Sequence, residues 1–248
     1  MAIEKETKLI AKHRLVVIVP AAGIGKRMKA QQPKQYLVID QYTILEHTVL
    51  RLLSHPDIDK VVIAISDDDD FFATTSLPTH EKVSTVVGGK ERVDSVLAGL
   101  KTINAQEYPW VLVHDAARPC VSHYDISVLI QQCKQANSGG LLATPIHDTI
   151  KRATDSGYVS KTVNRDLLWR ALTPQMYPTP LLTFAIEQAL ADDVMITDEA
   201  SAIEAIGGQS LLVEGSGDNI KITRPDDLAL AEFILVKQDK QMKETRCE

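Results

Sequence analysis

The chain has 248 residues, of which 44% are hydrophobic and 24% are charged, values that are typical of a globular protein and exclude a disordered chain. Its formal net charge of −6 disfavours general nucleic-acid binding, which needs a basic surface to neutralise phosphates. The longest apolar stretch, residues 15–24, is too short for a membrane span, which takes about 20 residues.

The cysteines and the start of the chain bear on its compartment. Cys120, Cys133 and Cys247 form no CxxC pair, and their odd number disfavours a disulfide framework. Residues 1–13 carry two glutamates and no apolar core, unlike a secretory signal. These features predict a protein of the cytoplasm.

Apolar runs alternate with amphipathic segments through the first 144 residues. The β-branched run 15–19 predicts a strand buried on both faces, and residues 43–54 predict a helix with one apolar face. The pattern continues with strands at 61–65, 83–87, 110–114 and 140–144 and with helices at 91–103 and 124–136. This rhythm is typical of βαβ units and predicts the α/β class, with a doubly wound, mainly parallel, Rossmann-like sheet.

The rhythm breaks near residue 145. Residues 145–177 alternate as TIKRAT and YVSKTVNR between prolines, which predicts an inserted β-arm built as a hairpin. The remaining predicted elements are helices at 179–191 and 198–206, a strand at 219–223 and a helix opened by Pro225. We therefore expect a single domain over 14–236 that carries the β-arm, with tails at 1–13 and 237–248.

The unusual chemistry lies in loops after the strands, where open α/β sheets bind ligands. In the first loop, residues 20–35, small side chains let backbone N–H groups approach a phosphate, and Lys26, Arg27 and Lys34 add positive charge. A Walker loop has Ser or Thr after its lysine, whereas Lys26 is followed by Arg27. The dinucleotide fingerprint has a third glycine or alanine at the position where this loop has Met28. The loop favours phosphate binding of a third type.

Two later loops carry polar candidates. Gly88 and Gly89 permit close contact with a flat ligand beside Ser95, although a glycine turn with helix capping explains the same residues. Asp115 ends a buried strand, a position suited to holding Mg²⁺ on phosphate oxygens, and Arg118 is near enough to orient it. A loop ion pair is the alternative.

Two further candidates are ambiguous by position. Lys221 lies between Ile220 and Ile222, so it belongs either to a strand edge or to a pocket. Thr149 and Arg165 lie in the predicted arm, where exposed charges are usually only solvated.

These loops occur together with other motifs in a fixed order: PAAGxGxRM, PKQY, ILEH, GGxxRxDSVxxGL, VHDAARP, ALTPQ, TDEAS, DNIKITRPDDL and ALAEF. In this combination the chain resembles the 2-C-methyl-D-erythritol 4-phosphate cytidylyltransferase family over about residues 14–236. The first motif is widespread among sugar nucleotidyltransferases, whereas VHDAARP with DNIKITRP narrows the match. The resemblance implies a nucleotidyltransferase of non-mevalonate isoprenoid biosynthesis that transfers the cytidylyl group of CTP to 2-C-methyl-D-erythritol 4-phosphate and releases pyrophosphate.

The resemblance also implies roles in binding CTP. The residues implied for CTP are Ala21, Ala22 and Gly23 around the triphosphate and Gly89, Arg92 and Ser95 around the cytidine. Arg27 and Lys34 neutralise charge on the α-phosphate and the leaving pyrophosphate, and Asp115 carries Mg²⁺.

The acceptor site is implied to span two subunits. In the family, the arm reaches a neighbouring subunit of a homodimer, where Thr149 and Arg165 bind the methylerythritol phosphate. Lys221 positions that phosphate for attack.

The chemistry needs no protein base. A phosphate monoester has a second pKa of about 6 and is mostly a dianion at neutral pH, so the enzyme must neutralise and align two anions. Two alternatives stay open: a related cytidylyltransferase for another alcohol phosphate, such as ribitol 5-phosphate, and a non-catalytic nucleotide-binding relative. The arm residues should distinguish the first alternative, because they contact the acceptor. The cationic residues of the motifs are all present, which argues against the second alternative.

Overall fold

The computed structural model describes residues 14–23 and 32–245. Seven strands of this part form the main sheet, and two short hairpins lie outside it. In chain order the strands are β1 (Leu15–Pro20), β2 (Val38–Ile39), β3 (Tyr42–Thr43), β4 (Ile58–Ile65), β5 (Val83–Val87), β6 (Trp110–Val113), β7 (Gly140–Pro145), β8 (Ile150–Ala153), β9 (Val159–Val163), β10 (Trp169–Pro178) and β11 (Leu211–Glu214).

The α-helices begin and end at local sequence signals. Thr43 and Glu46 form a capping box at the start of the first helix, and Asn137 takes a left-handed φ of 48° after the third. The helices within the described residues are α1 (Ile44–Leu53), α2 (Arg92–Leu100), α3 (His123–Ala136), α4 (Thr179–Ala191), α5 (Glu199–Ala205) and α6 (Asp226–Thr245).

The main sheet has the strand order β11-β7-β10-β6-β1-β4-β5. β10 is antiparallel to β6 and β7, and the other neighbouring strands are parallel. The predicted mainly parallel sheet is therefore confirmed.

Helices cover both faces of the sheet. Val17 and Val19 of β1 join a core cluster with side chains of α1 and α3, whereas Val16 and Ile18 join a cluster with side chains of α2, α4 and α5. This two-sided burial explains why residues 15–19 are apolar without interruption. The doubly wound arrangement is confirmed.

The predicted strand at 219–223 is wrong. These residues form an irregular connection in which the Ile222 N–H donates to the Ala117 carbonyl at 2.9 Å. The Ile222 side chain packs with Ala231 and Ile234 of α6, so its apolar pattern reflects a cluster outside the sheet. The strand that prediction missed is β11, where only Val213 is buried.

The arm and the chain end differ from the predicted boundaries. β8 and β9 form the expected separate hairpin, but β10, which was included in the arm, belongs to the main sheet. α6 continues to Thr245, past the expected domain end at 236. No helix within the described residues is long and apolar enough to cross a membrane.

Candidate active site

Loops at the carboxyl ends of β1, β5 and β6 surround a cavity of about 250 Å³. This is the edge at which open parallel sheets bind their ligands. The lining includes nine of the predicted site residues: Ala21, Ala22, Gly23, Lys34, Gly89, Arg92, Ser95, Asp115 and Lys221.

The loop after β1 is held by the side chain of Gln35. Its Nε2 donates to the carbonyls of Ala21 at 2.7 Å and Gly23 at 3.2 Å, and Gln35 is 4% exposed. Two carbonyl oxygens that would repel an anion are thereby engaged by an amide. Prediction assigned Gln35 no role, although it belongs to the PKQY motif.

Neighbouring side chains leave no room for a Cβ at two positions of the loop after β5. A Cβ at Gly88 would lie 2.6 Å from the Ala22 Cβ, and one at Gly89 would lie 2.2 Å from the Asp94 Cβ. The Gly89 N–H donates to the Ser95 Oγ at 3.1 Å, so the buried serine fixes the loop. Glu91 and Asp94 form a capping box for α2, so the predicted helix capping does occur in this segment.

Asp115 lies at the floor of the cavity among three cations. The Arg92 Nε is 3.2 Å from its Oδ1, while the Arg118 Nε and the Lys221 Nζ are 3.2 and 2.9 Å from its Oδ2. Burial opposes the charge of Asp115, but Arg92, Lys221 and Arg118 outweigh burial and hold the pKa of the carboxyl far below its usual range. Asp115 is therefore an anion within a surplus of positive charge.

Buried polar contacts fix this floor to the sheet. The Asp115 N–H donates to the Thr173 Oγ1 at 3.1 Å, and the same oxygen is 3.1 Å from the His114 Nδ1. Arg118 donates to the Asn219 carbonyl at 2.7 Å. Burial lowers the pKa of His114 to about 4, so this histidine is a neutral structural group.

The irregular connection 219–223 brings the two lysines together. Lys221 lines the cavity, which decides in favour of a pocket residue over a strand edge. The Lys34 Nζ donates to the Ile222 carbonyl at 3.0 Å, next to Lys221 in the chain. The connection therefore sets the spacing of both lysines.

A second cavity, of about 150 Å³, adjoins the first. Arg92, Asp115 and Lys221 line both cavities. The other lining residues are Arg118, Ala171, Leu172, Thr173, Gln175, Thr197 and Asp198. Two anionic ligands can thus meet at one shared set of charges.

Prediction assigned no role to three polar residues of the second cavity, Thr173, Gln175 and Asp198. Thr173 and Gln175 belong to the ALTPQ motif, and Asp198 belongs to TDEAS. Asp198 does cap α5, since its Oδ1 accepts from the Ser201 N–H at 2.9 Å. Its position beside the cavity depends on contacts between distant segments.

Arg92 has a second partner that prediction also missed. Its two terminal nitrogens donate to the carboxylate of Glu199 at 2.6 and 3.2 Å, and Glu199 is 2% exposed. Burial opposes the charge of Arg92, but Glu199 and Asp115 outweigh it and raise the pKa of the guanidinium. Arg92 is therefore a fixed cation between two carboxylates.

Of the three remaining predicted residues, the structure describes two, and both lie away from this arrangement. Arg27 lies outside the described residues. Thr149 and Arg165 are exposed on the arm and line neither cavity, and Arg165 donates to the His147 carbonyl.

The donor set limits how a metal ion can be held. No group of three or more His, Cys, Asp or Glu side chains in the described part of the chain could hold a metal. Asp115 offers one carboxylate, whose Oδ1 pairs with Arg92 and whose Oδ2 pairs with Arg118 and Lys221. Because Mg²⁺ commonly binds one or two carboxylates together with substrate phosphates, the site fits an ion carried by a nucleotide.

Comparison with known proteins identifies relatives over most of this chain. The sequence profile of the 2-C-methyl-D-erythritol 4-phosphate cytidylyltransferases (IspD) matches residues 15–237. A curated cytidylyltransferase of this name from Colwellia psychrerythraea is 57% identical, over 91% of this chain and 96% of that protein. One from Vibrio vulnificus is 54% identical, over 90% and 95% respectively.

Solved structures show the same fold. The Francisella tularensis 2-C-methyl-D-erythritol 4-phosphate cytidylyltransferase has a TM-score of 0.77 and 37% identity, covering 89% of this chain and 99% of its own. The Thermus thermophilus enzyme has a TM-score of 0.75 and 29% identity, covering 89% and 98%. The profile spans the main sheet and both cavities, and the two curated relatives match about nine tenths of this chain. The chain therefore belongs to the 2-C-methyl-D-erythritol 4-phosphate cytidylyltransferase family.

Proposed function

We propose that this protein transfers the cytidylyl group of CTP to 2-C-methyl-D-erythritol 4-phosphate, giving 4-diphosphocytidyl-2-C-methyl-D-erythritol and pyrophosphate. The observation that carries the proposal is the pair of adjoining cavities that share Arg92, Asp115 and Lys221, in a member of this family. The larger cavity takes the nucleotide and the smaller one takes the acceptor phosphate.

The nucleotide site uses backbone more than side chains. Ala21, Ala22 and Gly23 surround the triphosphate, in the loop whose carbonyls Gln35 engages. The loop at Gly89 and Ser95 holds the cytidine, and the bond from the Gly89 N–H to the Ser95 Oγ fixes its shape. Arg92 completes this site from its floor.

The reaction is an in-line displacement at phosphorus. An oxygen of the acceptor phosphate attacks the α-phosphorus of CTP, the new P–O bond forms, and the bond from the α-phosphorus to the bridging oxygen breaks to release pyrophosphate. The acceptor is already a dianion, so no base is required. Consistent with this, neither cavity is lined by a histidine among the described residues.

Cations do the main catalytic work. Lys34 and Arg27 stabilise the charge that grows on the α-phosphate and on pyrophosphate, and Lys221 holds the acceptor phosphate beside Asp115. Asp115, together with the phosphates of CTP, would hold Mg²⁺, which would supply further positive charge to those phosphates.

The arm completes the acceptor site from a second subunit. Thr149 and Arg165 are exposed on it and away from both cavities of their own chain, which suits residues that act in a neighbouring protomer. We therefore propose a homodimer in which each arm reaches the partner's smaller cavity.

The enzyme works in the cytoplasm. Cys120 and Cys133 are free thiols buried in two different hydrophobic clusters, an arrangement that suits a reducing compartment.

Pyrophosphate release tests the proposed function. We expect release when CTP and Mg²⁺ are supplied with 2-C-methyl-D-erythritol 4-phosphate, and none with ribitol 5-phosphate or without an acceptor. Release only with ribitol 5-phosphate would move the enzyme to another acceptor. Folded protein that binds CTP but releases no pyrophosphate with either acceptor would contradict a catalytic role.

A further inference from the structure

Glu199 is a buried acid whose partners place it next to the reaction but not in it. Its carboxylate accepts from both terminal nitrogens of Arg92, at 2.6 and 3.2 Å. Neither of the two cavities is lined by Glu199. The contact that links Glu199 to both cavities is its pair of bonds with Arg92, which lines each of them.

The sheet fixes Glu199 through the start of α5. Gln175 of β10 donates from its Nε2 to the Asp198 Oδ2 and accepts from the Ala200 N–H, each at 2.9 Å. Gln175 is 1% exposed, so these bonds are buried. The residues on both sides of Glu199 are thus tied to one strand.

The fixed position of the Glu199 carboxylate determines which nitrogen of Arg92 faces Asp115. A guanidinium binds a carboxylate best with two parallel N–H bonds. Glu199 occupies the two terminal nitrogens of Arg92, so only the Nε faces Asp115, at 3.2 Å from its Oδ1. The Asp115 Oδ2 is left to Arg118 and to Lys221, whose Nζ lies 2.9 Å away.

We propose that Glu199 is a positioning residue: by holding the two-nitrogen face of Arg92, it keeps Arg92 from pairing with both oxygens of Asp115 and so preserves the Asp115–Lys221 contact. The inference rests on the proposed function, in which Lys221 holds the acceptor phosphate. Without the charge of Glu199, the guanidinium of Arg92 rotates so that two of its N–H groups face the Asp115 carboxylate. Arg92 then displaces the Lys221 Nζ from the Asp115 Oδ2.

The test compares Glu199→Gln with Glu204→Gln, which removes an exposed acid from the same helix. In Glu199→Gln we expect kcat to fall about tenfold or more, as is usual when a supporting contact of a site is lost. The Kd for CTP, from calorimetry without acceptor, should change less than kcat, because only Arg92 of the residues assigned to CTP reorients and the backbone contacts of the nucleotide site stay in place. Glu204→Gln should match the wild type in both.

A double-mutant cycle separates positioning from general stability. If Glu199 acts through Arg92, Glu199→Gln should lower kcat by less than about twofold in an Arg92→Gln background. Full additivity would overturn the proposal, as would a kcat within twofold of wild type in the single variant.

Glu199→Asp keeps the charge on a shorter side chain and should retain more activity than Glu199→Gln. Loss of folding in both variants would overturn a positioning role.

A crystal structure of Glu199→Gln gives a readout that does not depend on turnover. We expect the Lys221 Nζ to lie more than about 4 Å from the Asp115 Oδ2, beyond ion-pair distance. An unchanged contact would overturn the inference even if the wild type is fully active. Conversely, an inactive wild type with the expected shift would count against the proposed function alone.

Discussion

Asp115 organises the charged residues around it because an unpaired carboxylate is costly to remove from water. Arg92, Arg118 and Lys221 come from three different segments and contact its two oxygens at 2.9–3.2 Å. Removing a buried partner of such a group leaves an uncompensated charge. The cations thus stabilise the fold at Asp115 and also face the cavities in which we expect two anions to meet.

Lys34 is the residue whose loss should separate catalysis from stability. Lys34→Ala should lower kcat about a hundredfold to a thousandfold, equivalent to about 2.7–4 kcal/mol, because it removes a preorganised donor to developing charge. Its bond to the Ile222 carbonyl, a hydrogen bond from a charged group, contributes about 1.5–3 kcal/mol to folding. Steady-state kinetics and thermal unfolding measure the two effects.

Lys101→Ala is the control for that variant, since Lys101 is an exposed lysine at the end of α2. It should change neither property. Near-normal turnover in Lys34→Ala would remove Lys34 from the mechanism.

At the scale of elements, the junction between α1 and α3 depends on neutral histidines. His55 follows α1 and accepts from the Asp57 N–H at its Nδ1, while its Nε2 is 2.9 Å from the Ser127 Oγ of α3. The His55 and His123 rings lie 5.4 Å apart. Burial lowers the pKa of both imidazoles below the ordinary value of 6.5.

Stability should therefore fall as the pH drops below about 6.5. In that range the unfolded chain binds protons that the folded His55, His123 and buried His114 do not bind, which costs up to about 1.4 kcal/mol per pH unit for each histidine. Urea unfolding at pH 7.5, 6.5 and 5.5 measures the loss. His55→Gln should flatten this dependence, and an unchanged slope would show that other groups cause it.

At the scale of the whole molecule, the arm exposes apolar side chains that its own chain does not cover. Leu167 is 93% exposed, Tyr158 77% and Val159 64%. Such surfaces commonly mark interaction sites. Together with the exposed Thr149 and Arg165, they support an arm that packs on a partner subunit.

Mixed dimers test whether the arm acts in the partner. Lys34→Ala inactivates the cavity of its own chain, and Arg165→Ala should raise the KM for the acceptor but not for CTP. If arms act across the dimer, coexpressed protomers should recover about one quarter of wild-type activity at low acceptor concentration, because half of the dimers contain one intact composite site. Each variant alone should stay low.

Absence of recovery in verified mixed dimers would mean that each arm serves its own chain. A monomer by light scattering at micromolar concentration would contradict the dimer itself.

Patterns that reflect local burial were predictable, while patterns that depend on distant partners were not. The run 15–19 identified β1 because both faces of the strand are covered. Residues 219–223 have a similar pattern, but Ile222 packs on α6 and the segment leaves the sheet. β11 was missed because an edge strand with one buried residue carries almost no signal.

The sequence by itself determined the fold class, the order of the loops and the charged residues that they carry, because strand burial, helix caps and glycine loops are encoded within a few neighbouring residues. Only the tertiary structure decided that Lys221 lies in a pocket, that Thr173 supports Asp115 and that Glu199 holds Arg92. Glu199 and Arg92 are 107 positions apart in the chain. Their contact exists because the first residues of α2 and α5 meet beside the carboxyl end of the sheet, and no local pattern records such a meeting.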